Sequence, residues 1–403
     1  MYIAREIENT IDRMLKQYKV VLVTGARQIG KTTMLKHALS QTHRYVTLDR
    51  VPVLEEARND PELFFMNNKP PLIIDEVQYA QNLFQQIKYI VDQSDERGTV
   101  VLTGSQAYHL MQNVTESLAG RIAILEMGGL SQREVYNNAS AEPFLPTGVE
   151  VGTASRIGGA NDIWEAIHRG SLPELQNQKI DWDEYYSNYV RSYIERDVRD
   201  LITLKDETLF YNFLVAVAAR TGQLFSARNI ANDIGVSLKT IQNWSSILEA
   251  SGTITFLRPY FDNIAKQLTK TPKVFFLDTG LVCHLTRWNS AETLKNGAMA
   301  GQIFETFAVS EIMKSYMNAG KTFRDLYFYR DKKKREIDLL IQNGGKLHPI
   351  EIKKTAAPST EIAGSFKVLD DLSLPVGTGA VVCLASEARY LTADIITTPI
   401  DLL

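Results

Sequence analysis

Short apolar runs alternate with helix-like stretches along the first part of the chain. Residues 20–23, 72–74 and 100–102 each form a compact apolar run that ends in glycine or polar residues. Strands that alternate with helical patterns are typical of a parallel sheet with helices on its faces. The pattern therefore predicts an α/β fold for this part of the chain.

From Ser226 the pattern changes to two short helices. Ser226 is placed to cap the first, Gly235 supplies the turn, Ser237 is placed to cap the second, and Gly252 ends it. Strands are predicted at residues 253–258 and 273–277. This order predicts a helix-turn-helix of the winged-helix type. The apolar positions that define the two helices are Ile230, Ala231, Ile234, Ile241, Trp244, Ile247 and Leu248.

Two uses of this middle segment stay open. The second helix offers Lys239, Gln242 and Asn243 to a DNA major groove, and the connection between the two strands carries Lys266, Lys270 and Lys273. Docking onto a protein, or acting as a nucleotide lid, is the alternative, since fold does not determine function.

The pattern of the C-terminal part predicts a β-hairpin. Residues 336–341 and 349–353 alternate apolar and charged positions, and Gly344 and Gly345 lie between them. Strands with paired glycines between them are typical of a tight hairpin turn.

Composition describes a protein of two or three domains. The chain has 403 residues, of which 44% are hydrophobic and 23% charged, with a net charge of −3. It lacks the run of about 18 apolar residues that a membrane span needs, and it has only Cys283 and Cys383, which we expect to be buried. We expect a cytoplasmic protein without a membrane partner.

A phosphate-binding loop follows the first apolar run. GARQIGKT at residues 25–32 matches GxxxxGK[ST] between a predicted strand and a predicted helix. Its backbone N–H groups would surround phosphates, Lys31 would reach the β- and γ-phosphates, and Thr32 would bind Mg²⁺. The residues predicted to bind ATP are Gly25, Ala26, Arg27, Gln28, Ile29, Gly30, Lys31, Thr32 and Thr33.

Two carboxylates end the second apolar run. Asp75 is predicted to hold Mg²⁺ together with Thr32, and Glu76 to orient or deprotonate the attacking water. The third run ends near Ser105 and Gln106, which would lie beside the γ-phosphate if the two strands are neighbours. An ordinary turn explains Ser105 equally well.

Arg121 is the candidate arginine finger. It follows Leu118, Ala119 and Gly120, and an arginine of this kind acts either in its own subunit or in a neighbouring one. A surface ion pair is the alternative for Arg121.

A charged helix is predicted over residues 185–204. Its face carries Arg191, Glu195, Arg196 and Arg199. A solvated helix with ion pairs such as Glu195 with Arg199 explains this face. A lid whose arginines contact nucleotide or a partner subunit is the alternative.

These motifs together resemble a prokaryotic family of AAA-type ATPases in which a C-terminal domain of unknown function follows the ATPase domain. The resemblance implies ATP binding and ATP hydrolysis. It rests on four motifs, which are GARQIGKT (25–32), LIIDEVQ (72–78), VLTGSQ (101–106) and ESLAGR (116–121). Later similarity lies at residues 193–199, 219–222 and 272–281. The similarity is interrupted mainly at residues 141–161, which are predicted to form a loop.

The C-terminal hairpin carries a second set of polar residues. Residues i and i+2 of a strand face the same side, so Glu351 and Lys353 project together, with Asp338 on the paired strand. Two carboxylates suit a Mg²⁺ ion and the ammonium suits an anionic transition state. The arrangement resembles the PD-(D/E)xK nuclease core, in which Glu305 matches the helical acid. The basic turn at residues 332–335 suits a phosphate backbone or a solvated hairpin tip equally well.

The sequence thus predicts an ATPase domain with a helical lid or connector at residues 1–203, a winged-helix-like segment at 204–265, and an α/β restriction-endonuclease-like domain at 266–403. The expected cofactors are ATP and Mg²⁺. The expected action is nucleotide control of a nuclease-like domain on DNA rather than RNA, with homo-oligomers and protein partners left open. The alternative is a nucleotide-dependent switch or adaptor whose nuclease-like domain binds without chemistry.

Overall fold

The computed structural model describes residues 2–104, 117–137, 142–156, 160–193 and 207–403. None of the helices in these ranges is long and apolar enough to cross a membrane. The described strands form a parallel sheet in the N-terminal part and a larger mixed sheet shared by the middle and C-terminal parts.

The N-terminal part is α/β, as its alternating pattern predicts. Every residue of the strand Val20–Thr24 is buried, with Val21 and Val23 in one core and Val20 and Leu22 in the other. Its first four residues are all apolar because both faces of the sheet are covered. The elements are α1 (Ile7–Gln17), β1 (Val20–Thr24), α2 (Lys31–Leu39), β2 (Arg44–Thr47), α3 (Val51–Asn59), α4 (Pro61–Asn67), β3 (Leu72–Asp75), α5 (Leu83–Asp92), β4 (Val100–Thr103), β5 (Ile122–Glu126) and α6 (Gln132–Val135).

The strand order is β2-β3-β4-β1-β5, with all described pairs parallel. Strand β4 lies between β1 and β3, and Thr103 is the register partner of both Val23 and Asp75. The third apolar run therefore does neighbour the strand that carries Asp75, which is the condition under which Ser105 and Gln106 were expected beside the γ-phosphate. The carboxyl ends of β1, β3 and β4 therefore open at one edge of the sheet.

The middle part contains the predicted helix pair. Ser226 accepts a hydrogen bond from the backbone N–H of Asn229, Ser237 accepts one from Thr240, and Gly235 has φ 79° at the turn. The elements are α7 (Ala160–Arg169), α8 (Trp182–Tyr193), α9 (Glu207–Ala218), β6 (Gln223–Leu224), α10 (Ala227–Ile234), α11 (Leu238–Ala250), β7 (Ile254–Pro259), α12 (Ile264–Thr269), β8 (Lys273–Phe276), α13 (Thr279–Leu285) and α14 (Ala291–Lys295).

Two features of the middle part differ from the prediction. The connection between β7 and β8 contains the helix α12, because Asn263 caps it by accepting hydrogen bonds from the backbone N–H groups of Ala265 and Lys266. The charged helix begins three residues earlier than predicted, at Trp182, and residues 194–206 lie outside the described part of the chain. The predicted pair of Glu195 with Arg199 falls in that range.

The C-terminal part extends the sheet that the middle part begins. Strand β7 pairs antiparallel with β8 and, at Arg258 and Pro259, parallel with the first C-terminal strand. The predicted boundary at residue 265 thus falls between two paired strands. The sheet order is β13-β14-β12-β11-β10-β9-β7-β8-β6, and the elements are α15 (Ala300–Asn318), β9 (Leu326–Arg330), β10 (Glu336–Asn343), β11 (Lys346–Ile352), α16 (Ile362–Ser365), β12 (Gly379–Cys383), β13 (Arg389–Thr392) and β14 (Ile395–Pro399).

The predicted hairpin is present between β10 and β11. Gly344 and Gly345 have φ 57° and 74°, the left-handed conformation that a two-residue hairpin turn of this hand requires. Strand β10 pairs antiparallel with β11, and β11 pairs parallel with β12. Both cysteines are buried, as expected.

The helix α15 joins the C-terminal part to the N-terminal part. It is buried on nearly all sides from Ile303 onward, including the polar residues Glu311, Lys314 and Asn318. Thr10 of α1 donates its hydroxyl to the carbonyl of Asn318 at 2.7 Å. The stretch predicted as a loop also crosses between the parts, since the N–H of Gly152 donates to the carbonyl of Ala388 at 2.7 Å.

Candidate functional site

The loop between β1 and α2 has the shape that its sequence predicts. A side chain at Gly25 would lie 2.2 Å from the carbonyl oxygen of Met127, and the φ of Gly25 is +135°, so only glycine fits. Gly30 has φ 90° directly before α2 begins at Lys31. The loop therefore leads into the N-terminus of a helix, where backbone N–H groups favour anions.

Lys31 lies at the loop itself. Its ammonium donates to the carbonyl oxygens of Gly25 at 2.8 Å and Ala26 at 2.7 Å. An ammonium that rests on two loop carbonyls can exchange them for phosphate oxygens bound in the same loop.

Thr32 and Asp75 come together across the sheet edge. The Thr32 hydroxyl donates to Asp75 Oδ2 at 3.0 Å, and the hydroxyl of Tyr45 donates to the same oxygen at 2.6 Å. Burial raises the pKa of Asp75, while the hydrogen bonds from Tyr45 and Thr32 oppose that effect. A hydroxyl and a carboxylate at this distance are hard oxygen donors that fit Mg²⁺.

Glu76 follows directly, in a left-handed conformation. It has φ 59° and ψ 42° and accepts a hydrogen bond from the side-chain amide of Gln78. Non-glycine residues in this conformation are uncommon and occur often at functional sites. Glu76 lines the cleft beside the loop.

A cleft of about 980 Å³ opens beside the loop, close to the upper end of the range that small-molecule sites span, about 300–1,000 Å³. Of the predicted nucleotide-binding residues, Gly25, Ala26 and Ile29 do not line this cleft. The loop and acid residues that do line it are Arg27, Gln28, Gly30, Lys31, Thr32, Thr33 and Glu76. Residues from other segments also line it, among them Tyr2, Arg5, Pro173 and Tyr185.

Arg121 lies at the opposite edge of the sheet. Its carbonyl accepts from the N–H of Val20 at the start of β1, whereas the loop follows the end of that strand. Its guanidinium forms two hydrogen bonds with Asp92, at 2.6 and 2.8 Å. This placement favours the neighbouring-subunit alternative over the own-subunit one, and the arginine-finger role stays a prediction. Ser105 and Gln106 lie outside the described residues.

Tyr45 and Arg5 were not predicted to belong to the site. A tyrosine in a strand is typical of packing, and nothing in the local sequence links Tyr45 to Asp75, which lies 30 residues away. Arg5 contacts Ile29 and Glu134, which lie 24 and 129 residues away. Contacts at such separations cannot be predicted from a local sequence pattern.

The C-terminal hairpin brings three predicted residues into contact. Lys353 Nζ lies 2.5 Å from Glu351 Oε2 and 3.3 Å from Asp338 Oδ2, and the N–H of Ile352 donates to Asp338 at 2.8 Å. Burial, followed by the charge of Asp338, raises the pKa of Glu351 to about 7 although Lys353 opposes this. The three side chains form one polar site at the ends of β10 and β11.

Glu305 belongs to an adjoining group centred on Lys273. Lys273 Nζ lies 2.8 Å from Glu305 and 2.6 Å from Glu336. Burial raises the pKa of Glu305 to about 7, with Lys273 opposing and Asp338 adding to the effect. Lys273 was predicted to lie on a basic connection; instead it is 3% exposed, because it begins the buried strand β8.

The two groups are not arranged as a metal centre. Among the described residues, no group of three or more His, Cys, Asp and Glu side chains could hold a metal ion. Two lysine ammoniums lie between the carboxylates and take the place that a cation would need. The neighbouring turn at residues 332–335 is exposed, and Arg335 pairs with Asp331 at 2.7 Å.

The turn that follows the helix α11 lies beside the phosphate loop. A side chain added at Gly252 would lie 3.4 Å from the backbone nitrogen of Ala26. On the outer face of the same helix, Lys239, Gln242 and Asn243 are exposed. The predicted groove-facing residues are therefore on the surface, and the turn that follows their helix lies beside the loop.

Three family models match the chain. Residues 17–136 match an AAA domain, residues 160–292 match a domain of unknown function, DUF8612, and residues 300–403 match a second domain of unknown function, DUF4143. The N-terminal part is therefore an AAA-type P-loop domain.

The chain is similar to two mycobacterial proteins along nearly its whole length. It is 26% identical to the uncharacterized protein Rv2008c of Mycobacterium tuberculosis over 400 residues, which is 98% of this chain and 83% of that protein. The uncharacterized protein Mb2031c of Mycobacterium bovis gives the same values.

Two solved structures align with part of the fold. The Walker-type ATPase PABY2304 of Pyrococcus abyssi aligns with a TM-score of 0.40 and 15% identity, over 70% of this chain and 94% of its own. The AMPPCP-bound DnaA of Aquifex aeolicus aligns with a TM-score of 0.30 and 12% identity, over 60% of this chain and 85% of its own.

Proposed function

We propose that this protein is a Mg²⁺-dependent ATPase whose nucleotide cycle controls the polar site of its C-terminal part. The observation that carries the ATPase proposal is the meeting of Lys31, Thr32, Asp75 and Glu76 at one sheet edge, around a cleft large enough for a nucleotide. These are the groups that phosphoryl transfer to water needs.

Each residue has a separate task in this proposal. Mg²⁺ bound with ATP neutralises the charge that develops on the transferred phosphoryl group. Thr32 and Asp75 supply oxygens that would hold the ion, and Lys31 binds the terminal phosphates. Glu76 accepts a hydrogen bond from the attacking water and orients it towards the γ-phosphate.

The ATPase proposal is tested by phosphate release. We expect wild-type protein to hydrolyse ATP with Mg²⁺, and Lys31→Ala and Glu76→Gln to reduce the rate by at least about 100-fold, the scale on which positioned charges and bases act. Lys16→Ala is the matched control, since Lys16 is an exposed lysine on α1 and does not line the cleft. Wild-type turnover in the Lys31→Ala protein would exclude the assignment.

For the C-terminal part we propose cleavage of nucleic acid, with DNA as the favoured substrate; Asp338 and Glu351 would hold Mg²⁺ only after Lys353 leaves them for the substrate phosphate. What supports this is the contact of Asp338, Glu351 and Lys353, with Glu305 in the adjoining group and a basic turn at the rim. The shared sheet and the buried helix α15 give the ATPase part a physical connection to this site. The exposed face of α11, read as part of a winged helix, would add a DNA contact.

The nuclease proposal has its own assay. Purified protein with ATP and Mg²⁺ or Mn²⁺ should cut DNA, and Asp338→Ala and Lys353→Ala should each stop cleavage. Lys354→Ala is the control, because Lys354 is the exposed neighbour of Lys353. Cleavage that persists in both site variants would come from another site.

A second candidate is a nucleotide-driven switch whose C-terminal part binds a partner without chemistry. The observation that favours it is the pairing of the carboxylates with Lys273 and Lys353, with no metal-holding group among the described residues. ATP hydrolysis measured with DNA, with RNA and without polymer separates the partners: stimulation without cleavage supports the switch, and no response to either polymer favours a protein partner.

A further inference from the structure

Arg5 connects the phosphate loop to the rest of the molecule. Its guanidinium donates to the carbonyl of Ile29 at 2.8 Å, and to the carbonyls of Gly128 at 2.9 Å and Gly129 at 3.1 Å. Its Nε pairs with Glu134 at 3.0 Å, and the residue is only 5% exposed. One buried cation thus ties the loop to a segment about 100 residues later in the chain.

The contact with Ile29 fixes a donor of the loop. In a planar trans peptide the C=O and the following N–H point in opposite directions. Holding the Ile29 carbonyl on Arg5 therefore sets the direction of the Gly30 N–H, which belongs to the phosphate-binding backbone. Arg5 also lines the nucleotide cleft, behind the loop.

The segment on the other side of Arg5 rests on the C-terminal helix α15. A side chain at Gly128 would lie 3.0 Å from Met317 Sδ and 3.2 Å from Lys314 Cγ, both on α15. Lys314 donates to the carbonyl of Leu130 at 3.1 Å, and the N–H of Gln132 donates to Glu311 at 2.8 Å. The same helix begins near Glu305, one of the C-terminal polar residues.

We infer that Arg5 is a positioning residue for nucleotide binding: it fixes the phosphate loop against the Gly128–Gly129 backbone and so couples the loop to α15. The inference rests on the proposed ATP binding at this loop. Lysine at position 5 keeps the charge near Glu134 but lacks the planar fork that reaches three carbonyls at once. The loop then loses the fixed direction of its N–H groups while the fold retains its ion pair.

The experiment measures the dissociation constant of a fluorescent ATP analogue with Mg²⁺, together with hydrogen exchange of the amides at residues 25–31, on the full chain. We expect Arg5→Lys and Arg5→Met to weaken binding by about tenfold or more, because each loses hydrogen bonds that a charged donor makes to the loop and to the Gly128–Gly129 backbone. Exchange of the loop amides should quicken in both variants. In wild-type protein the analogue should slow exchange in α15, and in Arg5→Lys this effect should be lost.

Thr10→Val separates positioning from general stability. Thr10 is buried in the same N-terminal region and bonds to Asn318, without a contact to the loop. It should lower the melting temperature and leave nucleotide affinity unchanged. Equal affinity in wild type and both folded Arg5 variants overturns the inference, as does an equal loss in Thr10→Val.

Two further outcomes of this experiment have a separate meaning. If neither Arg5 variant folds, Glu134→Gln is measured in its place, since it neutralises the partner of Arg5 while one side-chain oxygen stays available as an acceptor; unchanged affinity and unchanged loop exchange in that variant also overturn the inference. If wild-type protein itself does not bind the analogue, the proposed function fails, which is a different result.

Discussion

At the scale of single residues, Tyr45 controls the acid that would hold Mg²⁺. Its hydroxyl lies 2.6 Å from Asp75 Oδ2 and competes for that oxygen with Thr32 at 3.0 Å. Partners behind a metal-binding carboxylate orient it, and losing one typically lowers metal affinity about 10- to 100-fold. The ammonium of Lys36 also lies 3.7 Å from the centroid of the tyrosine ring, so the Tyr45 side chain is held at both its hydroxyl and its ring.

We therefore predict that Tyr45→Phe raises the Mg²⁺ concentration for half-maximal ATP hydrolysis by about tenfold, with a smaller change in the rate at saturating Mg²⁺. Phenylalanine keeps the ring and its contact with Lys36, and removes only the hydroxyl. Tyr89→Phe is the control, because Tyr89 is 61% exposed on α5. An unchanged Mg²⁺ dependence in Tyr45→Phe would show that Thr32 alone orients Asp75.

The residues that sequence could predict are those whose role depends on neighbours in the chain. The phosphate loop and the acids Asp75 and Glu76 are contiguous patterns in the sequence, so their spacing alone is enough to predict them. Arg5, Tyr45 and Lys273 act on partners that are 24 to 129 residues away. Which ammonium enters the space beside Glu305 depends on sheet order, and that order is fixed only when β8 pairs with β7.

At the scale of elements, α15 contributes a buried ion pair to the interface between the N-terminal and C-terminal parts. Lys314 and Glu311 lie 2.7 Å apart with side chains 2% and 0% exposed. Removing one partner of a buried pair leaves an uncompensated charge, which costs about 3–5 kcal/mol, whereas replacing both is often nearly neutral.

Lys314→Met should accordingly destabilise the protein by about 3–5 kcal/mol in denaturant unfolding, and the double variant Glu311→Gln with Lys314→Met should regain most of that loss. Because Glu311 also accepts from the N–H of Gln132, the double variant retains one hydrogen bond across the interface. A double variant as unstable as Lys314→Met would mean that packing of the lysine stem, rather than its charge, holds the helix.

The strands and helices themselves followed well from local pattern, with exceptions that have physical causes. The hairpin at Gly344 and the caps at Ser226 and Ser237 are local chemistry and are confirmed. The pairing of β7 with β9 joins residues 69 positions apart, which cannot be predicted from a local sequence pattern. The domain boundary predicted at residue 265 lies between β7 and β8, two paired strands of this shared sheet.

At the scale of the whole molecule, the position of Arg121 bears on assembly. β5 begins directly after it, so Arg121 lies at the amino edge of the parallel sheet while the phosphate loop lies at the carboxyl edge. A strand of five residues separates these edges by about 17 Å, at about 3.3 Å per residue. An arginine at this place reaches a γ-phosphate only on another subunit.

The neighbouring-subunit role is decided by mixing two inactive variants. Lys31→Ala retains Arg121 and lacks a working loop, and Arg121→Ala retains the loop and lacks the arginine. If the arginine acts between subunits, each variant alone should hydrolyse ATP slowly, because the arginine contributes about 10³–10⁵ in rate where it operates. The mixture should recover activity, since Lys31→Ala subunits supply Arg121 to the intact loops of their partners.

Arg97→Ala is the matched control for this experiment, because Arg97 is an exposed arginine near the same sheet edge and bonds only to the carbonyl of Gln17 among its described hydrogen bonds. It should retain wild-type activity and should not complement Lys31→Ala beyond the sum of the two rates. Wild-type activity in Arg121→Ala would show that Arg121 only forms its ion pair with Asp92. An ion pair at this exposure contributes little to the stability of the fold. Recovery that rises with protein concentration would further require that the active species is an oligomer, since mass action favours mixed assemblies.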